Sequence, residues 1–211
     1  MKLGIIKYGL GNIGSVFQSL KIVGCTPIII EKPLEIKNVD KFIFPGVGNF
    51  TRSKIILDKF GWTDEILNAA INLKKPILGI CLGMQLLAEW GYEGLLENNN
   101  TKTEGLGLIK GEVINLKNIG CRERIPHMGW NTVMWNNSPP LLSGIPSNTD
   151  FYFVHTYAFM PEKKVEIIAT ANYSIPVTAI VNKGNIWGTQ FHPEKSSKAG
   201  LRIIKNFLEY I

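Results

Sequence analysis

Lys75-Pro-Ile-Leu-Gly-Ile-Cys-Leu-Gly-Met-Gln-Leu-Leu-Ala-Glu89 reads as strand, sharp turn, helix. Ile77 to Ile80 form a short apolar run, the pattern of a fully buried parallel strand. From Leu82 the apolar positions change to Leu82, Leu86, Leu87 and Trp90, a helical spacing. Gly79 and Gly83 flank Cys81 in a G-x-C-x-G pattern, the form of a nucleophile elbow, where small neighbours permit a tight turn. A thiol there is expected at a helix N-terminus, whose partial positive charge favours the thiolate. A buried cysteine that merely packs fits the same local pattern. A partner elsewhere in the chain has to decide.

Outward from the elbow, the first half alternates strand and helix. Leu3 to Tyr8, Pro27 to Ile30 and Phe42 to Phe44 read as strands. Asn12 to Val23 reads as a helix with apolar Ile13, Val16, Phe17 and Leu20, and further helices are expected at Lys54–Phe60 and Thr63–Leu73. Such alternation predicts a parallel sheet covered on both faces. Beyond a polar loop at Glu97–Glu104, short strands dominate from Leu106 to Gln190, and a last helix runs from Ser197 to Tyr210. With 211 residues, 45% hydrophobic, no internal repeat and no dividing linker, the chain is expected to be one α/β domain over 1–211 with a mixed sheet.

No apolar stretch has the length of a membrane span, and Lys2–Lys7 lacks a signal-peptide layout. Cys25, Cys81 and Cys121 are odd in number and far apart, with neither a disulfide framework nor zinc spacing. A reducing, cytoplasmic setting is expected, with no metal, no membrane and no nucleic acid. The net charge of +6 is scattered, as on a solvated surface, and attraction to an acidic partner protein comes next.

The partner for the thiol lies in Trp187-Gly-Thr-Gln-Phe-His-Pro-Glu194. Ile186 to Phe191 read as a strand, and Pro193 biases His192 toward extended backbone. Residues i and i+2 of an extended chain project to one side, so Glu194 is expected to orient the His192 imidazole. A base held by a third group and aimed at a thiol is the logic of a Cys-His-acid triad. His127 and His155 lie in other segments, and neither has a carboxylate at such spacing.

These residues resemble the class I (triad) glutamine amidotransferases, and more narrowly the glutaminase subunits of imidazole glycerol phosphate synthase. The supporting motifs are Tyr8-Gly-Leu-Gly-Asn12, Pro45-Gly-Val-Gly-Asn-Phe50, Gly79-Ile-Cys-Leu-Gly-Met-Gln85, Pro126-His-Met-Gly-Trp-Asn131, Tyr152-Phe-Val-His-Thr-Tyr157 and Gln190-Phe-His-Pro-Glu-Lys-Ser-Ser197. The resemblance implies a flavodoxin-like α/β fold: a mostly parallel central sheet, flanking helices and an added antiparallel strand region. It implies hydrolysis of glutamine to glutamate and ammonia through Cys81, His192 and Glu194, with no cofactor. The N–H of Leu82, next after the nucleophile, is one candidate oxyanion donor. The family resemblance makes the N–H of Val47 the second, and it implicates Gly48, Gln85, Glu93, Thr156 and Tyr157 in holding glutamine. It also implies docking onto a separate (β/α)8-barrel cyclase that receives the ammonia, through His127, Met128, Trp130, Asn131 and Tyr152. Two positions depart from the family pattern: Lys7, where members often carry Asp, and Thr51, where Gly or another small residue is frequent.

Other readings stay open on the sequence. Paralogous subunits supply ammonia to nucleotide-sugar or surface-polysaccharide pathways. A cysteine hydrolase or peptidase on a related scaffold would share the elbow. Gly9-Leu-Gly-Asn-Ile-Gly14 matches a dinucleotide fingerprint, with Glu31 near the ribose-binding position, but this leaves the elbow and His-Pro-Glu unexplained.

Overall fold

The computed structural model describes residues 1–94 and 102–211. Its strands are β1 (Leu3–Ile6), β2 (Ile28–Ile30), β3 (Lys41–Gly46), β4 (Ile77–Cys81), β5 (Trp90–Gly91), β6 (Thr103–Glu104), β7 (Gly111–Asn115), β8 (His127–Met134), β9 (Thr149–His155), β10 (Tyr157–Pro161), β11 (Ile167–Asn172), β12 (Pro176–Lys183) and β13 (Ile186–Thr189). The helices are α1 (Ile13–Ile22), α2 (Phe50–Lys59), α3 (Trp62–Leu67), α4 (Leu82–Gln85) and α5 (Ser197–Tyr210).

Nine strands form one sheet in the order β2-β1-β3-β4-β13-β12-β11-β8-β9. Every pairing from β2 to β13 is parallel, and every pairing from β13 to β9 is antiparallel. A smaller sheet, β10-β7-β5-β6, packs beside it.

The apolar runs split by strand periodicity onto two cores. Ile6, Phe42, Phe44 and Ile77 pack with Leu57, Trp62 and Ile66 of α2 and α3. Their neighbours Leu3, Ile5, Ile43, Leu78 and Ile80 pack on the other face with Val16, Leu20, Ile203, Ile204 and Phe207 of α1 and α5. Burial on both faces explains why these strands read as continuous hydrophobic runs. The carboxyl ends of β1, β3, β4 and β13 share one edge of the sheet, the edge where open α/β sheets bind ligands.

Several element boundaries differ from the sequence expectation. The helix expected to run from Leu82 toward Trp90 is a single turn. After Gln85 the bonds tighten to Leu87 N–Met84 O and Ala88 N–Gln85 O, and Glu89 N donates instead to Gly111 O. Residues 82–88 are buried on every side, so their spacing reflects total burial rather than an amphipathic stripe. Helix α2 starts at Phe50 rather than Lys54, because Asn49 caps it: its Oδ1 accepts the Arg52 N–H at 2.9 Å. The helix expected at Thr63–Leu73 is α3 followed by a π turn, Asn68–Asn72. Of the polar loop read at Glu97–Glu104, residues 97–101 lie outside the described residues, while Thr103–Glu104 pair with Trp90–Gly91 as strand.

In the glycine-rich turn after β1, only Gly11 is crowded; a Cβ at Gly9 or Gly14 would meet nothing within 4 Å. Gly11 has φ 147°, and a Cβ there would lie 3.2 Å from the Pro45 carbonyl oxygen. Glu31 is engaged by the departing residue itself, since Lys7 Nζ lies 2.7 Å from its carboxylate.

Candidate active site

Cys81 ends β4 with φ 54° and ψ −110°, a strained conformation for a non-glycine residue that costs about 1–3 kcal/mol. Its glycine neighbours make the turn possible. A Cβ on Gly79 would sit 2.8 Å from backbone atoms of Gly83 and Met84. One on Gly83 would collide with the Phe44 carbonyl oxygen, and one on Gly46 would sit 2.8 Å from Gly83 N. Backbone therefore meets backbone on both sides of the thiol. Register adds the rest: Gly46 pairs with Cys81, and Thr189 with Ile80, so the ends of β3 and β13 flank the nucleophile.

His192 follows the end of β13 with extended backbone (φ −94°, ψ 98°), as Pro193 demands. The chain then bends into a 3-10 turn, Pro193–Lys195, so Glu194 does not continue an extended strand. The turn still brings the carboxylate back, and Glu194 Oε1 lies 2.7 Å from His192 Nδ1 with both side chains almost wholly buried. His192 Nε2 is buried without a hydrogen-bond partner, and His192 lines the same cavity as the Cys81 thiol. Desolvation, the largest single influence on the imidazole, works to lower its pKa. Hydrogen bonding and charge from Cys81 and Glu194 together outweigh that, and the pKa rises to about 10.

A cavity of about 320 Å³ opens over the thiol. Cys81 and His192 line it together with Val47 and Leu82, and so do Gly48, Gln85, Glu93, Thr156 and Tyr157. Glu194 stands behind His192, outside the cavity lining. Gln85 spends both amide protons on fixed partners, the Tyr157 carbonyl (2.8 Å) and Gln190 Oε1 (3.0 Å). Glu93 Oε2 accepts the Phe50 N–H at the start of α2 at 2.7 Å. Burial pushes the Glu93 pKa up, and the Phe50 bond only partly offsets that.

Gln190 and the pairing of His127 with His155 were not singled out from the sequence. Gln190 is fully buried and points its Nε2 at Cys81 Sγ, 3.7 Å away. The strand expected at Ile186–Phe191 ends at Thr189, and Gln190 lies in the bend that follows, just before His192. The second group is a histidine pair. In the β8–β9 register His127 opposes His155, and His127 Nδ1 lies 2.9 Å from His155 Nε2. His155 Nδ1 is 2.9 Å from the Tyr157 carbonyl, and Asn131 Nδ2 is 3.1 Å from His127 Nε2. Since a carbonyl only accepts, His155 carries its proton on Nδ1, and His127 in turn donates from Nδ1. Both imidazoles are thereby fully used in the neutral form. Desolvation lowers the His127 pKa to about 4. Desolvation first, then the charges of His127 and His192, lowers that of His155 to about 3, against a smaller upward pull from the Tyr157 carbonyl.

This pair corrects the assignment of His127 to a docking face. His127 is 2% exposed, stacked between Phe153 (centroids 4.6 Å apart) and Tyr173 (4.0 Å). Strand alternation gives the reason: residues 127, 129 and 131 face away from residues 128 and 130. Met128 and Trp130 are 61% and 55% exposed, and Trp130 meets Tyr152, its register partner, edge-on at 6.2 Å. Asn131 is half-buried, its amide held by His127 and by the Asn172 carbonyl.

An α/β sheet with a strained cysteine at its carboxyl edge and a carboxylate-backed imidazole beside it defines an enzyme class that transfers acyl groups through a thioester. The family is more specific: the chain belongs to the class-I glutamine amidotransferases, whose model matches residues 5–210. It is 45% identical to subunit HisH 1 of imidazole glycerol phosphate synthase from Methanococcus maripaludis, over 99% of this chain and 100% of that one. It is 40% identical to the HisH subunits of Desulfitobacterium hafniense (99% and 94% covered) and Bacillus subtilis (97% and 94%). Among solved structures, a glutamine amidotransferase superposes with TM-score 0.75 at 19% identity, covering 99% of this chain and 98% of that one. The PurLQS structure from Thermotoga maritima gives 0.71 at 18%, with the same coverage. At such identities these two speak for the fold alone. Among the described residues no helix is long and apolar enough to cross a membrane, and no group of three or more His, Cys, Asp or Glu side chains is placed to hold a metal.

Proposed function

We propose that this chain is the glutaminase subunit of an imidazole glycerol phosphate synthase in histidine biosynthesis, a single amidotransferase domain over 1–211 acting in the cytoplasm. The observation that carries the reading is the placement of His192, 2.7 Å from a buried carboxylate on one side and lining the same cavity as Cys81 on the other.

Cys81 passes its thiol proton to His192, and its Sγ attacks the side-chain amide carbon of glutamine. The tetrahedral intermediate places negative charge on oxygen, and two backbone N–H groups answer it. Leu82 is the first residue of α4, so its N–H has no acceptor within the helix. Val47 supplies the second, from the turn Gly46-Val-Gly48, where Gly48 has φ 103°. His192 gives its proton to the departing ammonia, a task suited to an imidazole kept protonated by its neighbours. Glu194 holds the ring and supports its charge. Water, deprotonated by His192, then cleaves the thioester to glutamate. Glu93 pairs with the substrate's α-ammonium, while Gly48, Gln85, Thr156 and Tyr157 shape the rest of the pocket.

Ammonia is passed to a (β/α)8-barrel cyclase, giving imidazole glycerol phosphate and an aminoimidazole carboxamide ribonucleotide. Exposed Met128 and Trp130, with Tyr152 beside them, have the composition of an interface centre. Asn131 lies at its margin, and His127 supports the strand from below rather than touching a partner.

The test is ammonia release from glutamine by the chain alone and with its copurified partner and acceptor nucleotide. Cys81→Ala is expected to abolish release while leaving fold and partner binding intact. Unchanged release by this variant removes the proposal. Copurification of a sugar amidotransferase in place of a barrel cyclase moves the ammonia to another pathway.

A further inference from the structure

The first turn of α2 grips the segment that carries Glu93. Asn49 Nδ2 donates to the Gly94 carbonyl at 2.7 Å, Phe50 N–H to Glu93 Oε2 at 2.7 Å, and Thr51 Oγ1 to the Glu93 carbonyl at 2.6 Å. Thr51 Oγ1 also lies 2.7 Å from Thr103 Oγ1. A threonine hydroxyl has one proton, and the Glu93 carbonyl can only accept, so Thr51's proton goes there. Thr103 must then be the donor to Thr51. The result is a directed chain, Thr103 hydroxyl to Thr51 hydroxyl to Glu93 carbonyl.

The surrounding packing leaves little slack. Thr103 pairs with Gly91 between β6 and β5, and Gly91 lies flat against the Phe50 ring, where any Cβ would lie 2.5 Å from the ring carbons. Thr51 is thus the point where helix α2, the Glu93 segment and β6 are fastened together. Glu93 itself is half-buried and lines the cavity above Cys81. A carboxylate with a raised pKa at a cavity wall serves a cationic ligand only if it is held at a fixed depth.

We propose that Thr51 is a positioning residue for substrate selection: by fixing the Glu93 backbone it keeps the carboxylate where the α-ammonium of glutamine binds. The inference rests on the glutaminase reading above. It assigns Thr51 to recognition of the substrate's amino group and not to bond breaking at the amide.

The test is steady-state ammonia release by the chain with its copurified partner, for the wild type, Thr51→Val, Thr51→Ser and Thr103→Val. Two substrates are used, glutamine and its des-amino analogue, the monoamide of glutaric acid. Thr51→Val keeps the side-chain shape and loses the hydroxyl. It is expected to raise KM for glutamine about tenfold with kcat nearly unchanged, and to leave the des-amino substrate untouched. Thr51→Ser restores the wild-type KM. Thr103→Val removes only the outer donor and gives a smaller rise, about threefold. Should Thr51→Val fail to fold, Thr103→Val carries the same substrate comparison. An unchanged glutamine KM overturns the inference, and so does an equal loss on both substrates or no rescue by serine. A wild-type complex that releases no ammonia from glutamine overturns the glutaminase reading and this inference with it.

Discussion

Around Cys81 the decisive contacts are made by backbone, whereas along β8 and β9 they are made by side chains. At the elbow, Gly46, Gly79 and Gly83 let three chain segments meet closer than any Cβ allows, and Cys81 is left at φ 54° between them. In the β8–β9 pair a regular antiparallel ladder sets His127 opposite His155 and buries a neutral imidazole pair, while Met128 and Trp130 stay on the outer face. One region stores strain to aim a nucleophile. The other uses an unstrained ladder to hold polar groups beneath an exposed patch. The two regions touch at the pocket, where His155 bonds to the Tyr157 carbonyl and Cys81 Sγ lies 3.8 Å from the Val154 carbonyl.

The sharpest way to break the contrast is at the acid of the elbow site. Glu194→Gln keeps the shape and removes the charge behind His192. Ammonia release is expected to fall by roughly 10²–10⁴-fold, the scale set by loss of the acid in a related triad. The His192 imidazole should also titrate well below the wild-type value of about 10, as followed by NMR of the ring protons. An unmoved titration would mean that Glu194 does not act on the imidazole.

Next in size is a backbone effect. Gly83→Ala places a methyl group against the Phe44 carbonyl, which belongs to a central strand and cannot yield. A loss of stability of about 3 kcal/mol or more is expected in denaturant unfolding. The same substitution at Gly129, on β8, meets no atom within 4 Å despite φ 128°, so only conformational strain of about 1–2 kcal/mol opposes it. Equal losses at the two glycines would erase the distinction between the regions.

The smallest effect separates them by pH. His192 has its folded pKa raised, so its contribution to stability is complete below the unfolded value of about 6.5 and is lost as pH rises through about 10. His127 and His155 have theirs lowered, so their contribution is present above about pH 6.5 and is lost as pH falls toward about 4 and about 3. Unfolding measured from pH 4 to pH 10 should therefore decline at both ends. Glu194→Gln flattens the alkaline limb, and His127→Phe shallows the acid one. A stability curve unaffected by either change at its own end would contradict these assignments.

What could be read from the chain beforehand follows the same division. The elbow was legible because glycines at fixed offsets from a cysteine are a local signature of backbone crowding, and His-Pro-Glu because proline restricts its neighbour. The short helix α4 was misjudged in length, since total burial of residues 82–88 imitates helical spacing. The His127–His155 pair depends on the register of two strands separated by the segment from Trp135 to Asn148, and nothing local encodes that alignment. Alternation alone, applied strictly to residues 127–131, would have moved His127 and Asn131 off the face of Met128 and Trp130. Thr51 was visible as a departure from the family pattern, but its partners Glu93 and Thr103 are 42 and 52 residues away.

The most direct measurement is covalent labelling with a glutamine analogue that carries an electrophilic carbon in place of the amide, read by peptide mass spectrometry. A single adduct on Cys81 is predicted, with none on Cys25 or Cys121, together with loss of labelling when His192 is replaced by alanine. Adducts on either other cysteine, or ammonia release from glutamine that survives a fully labelled Cys81, would contradict the account.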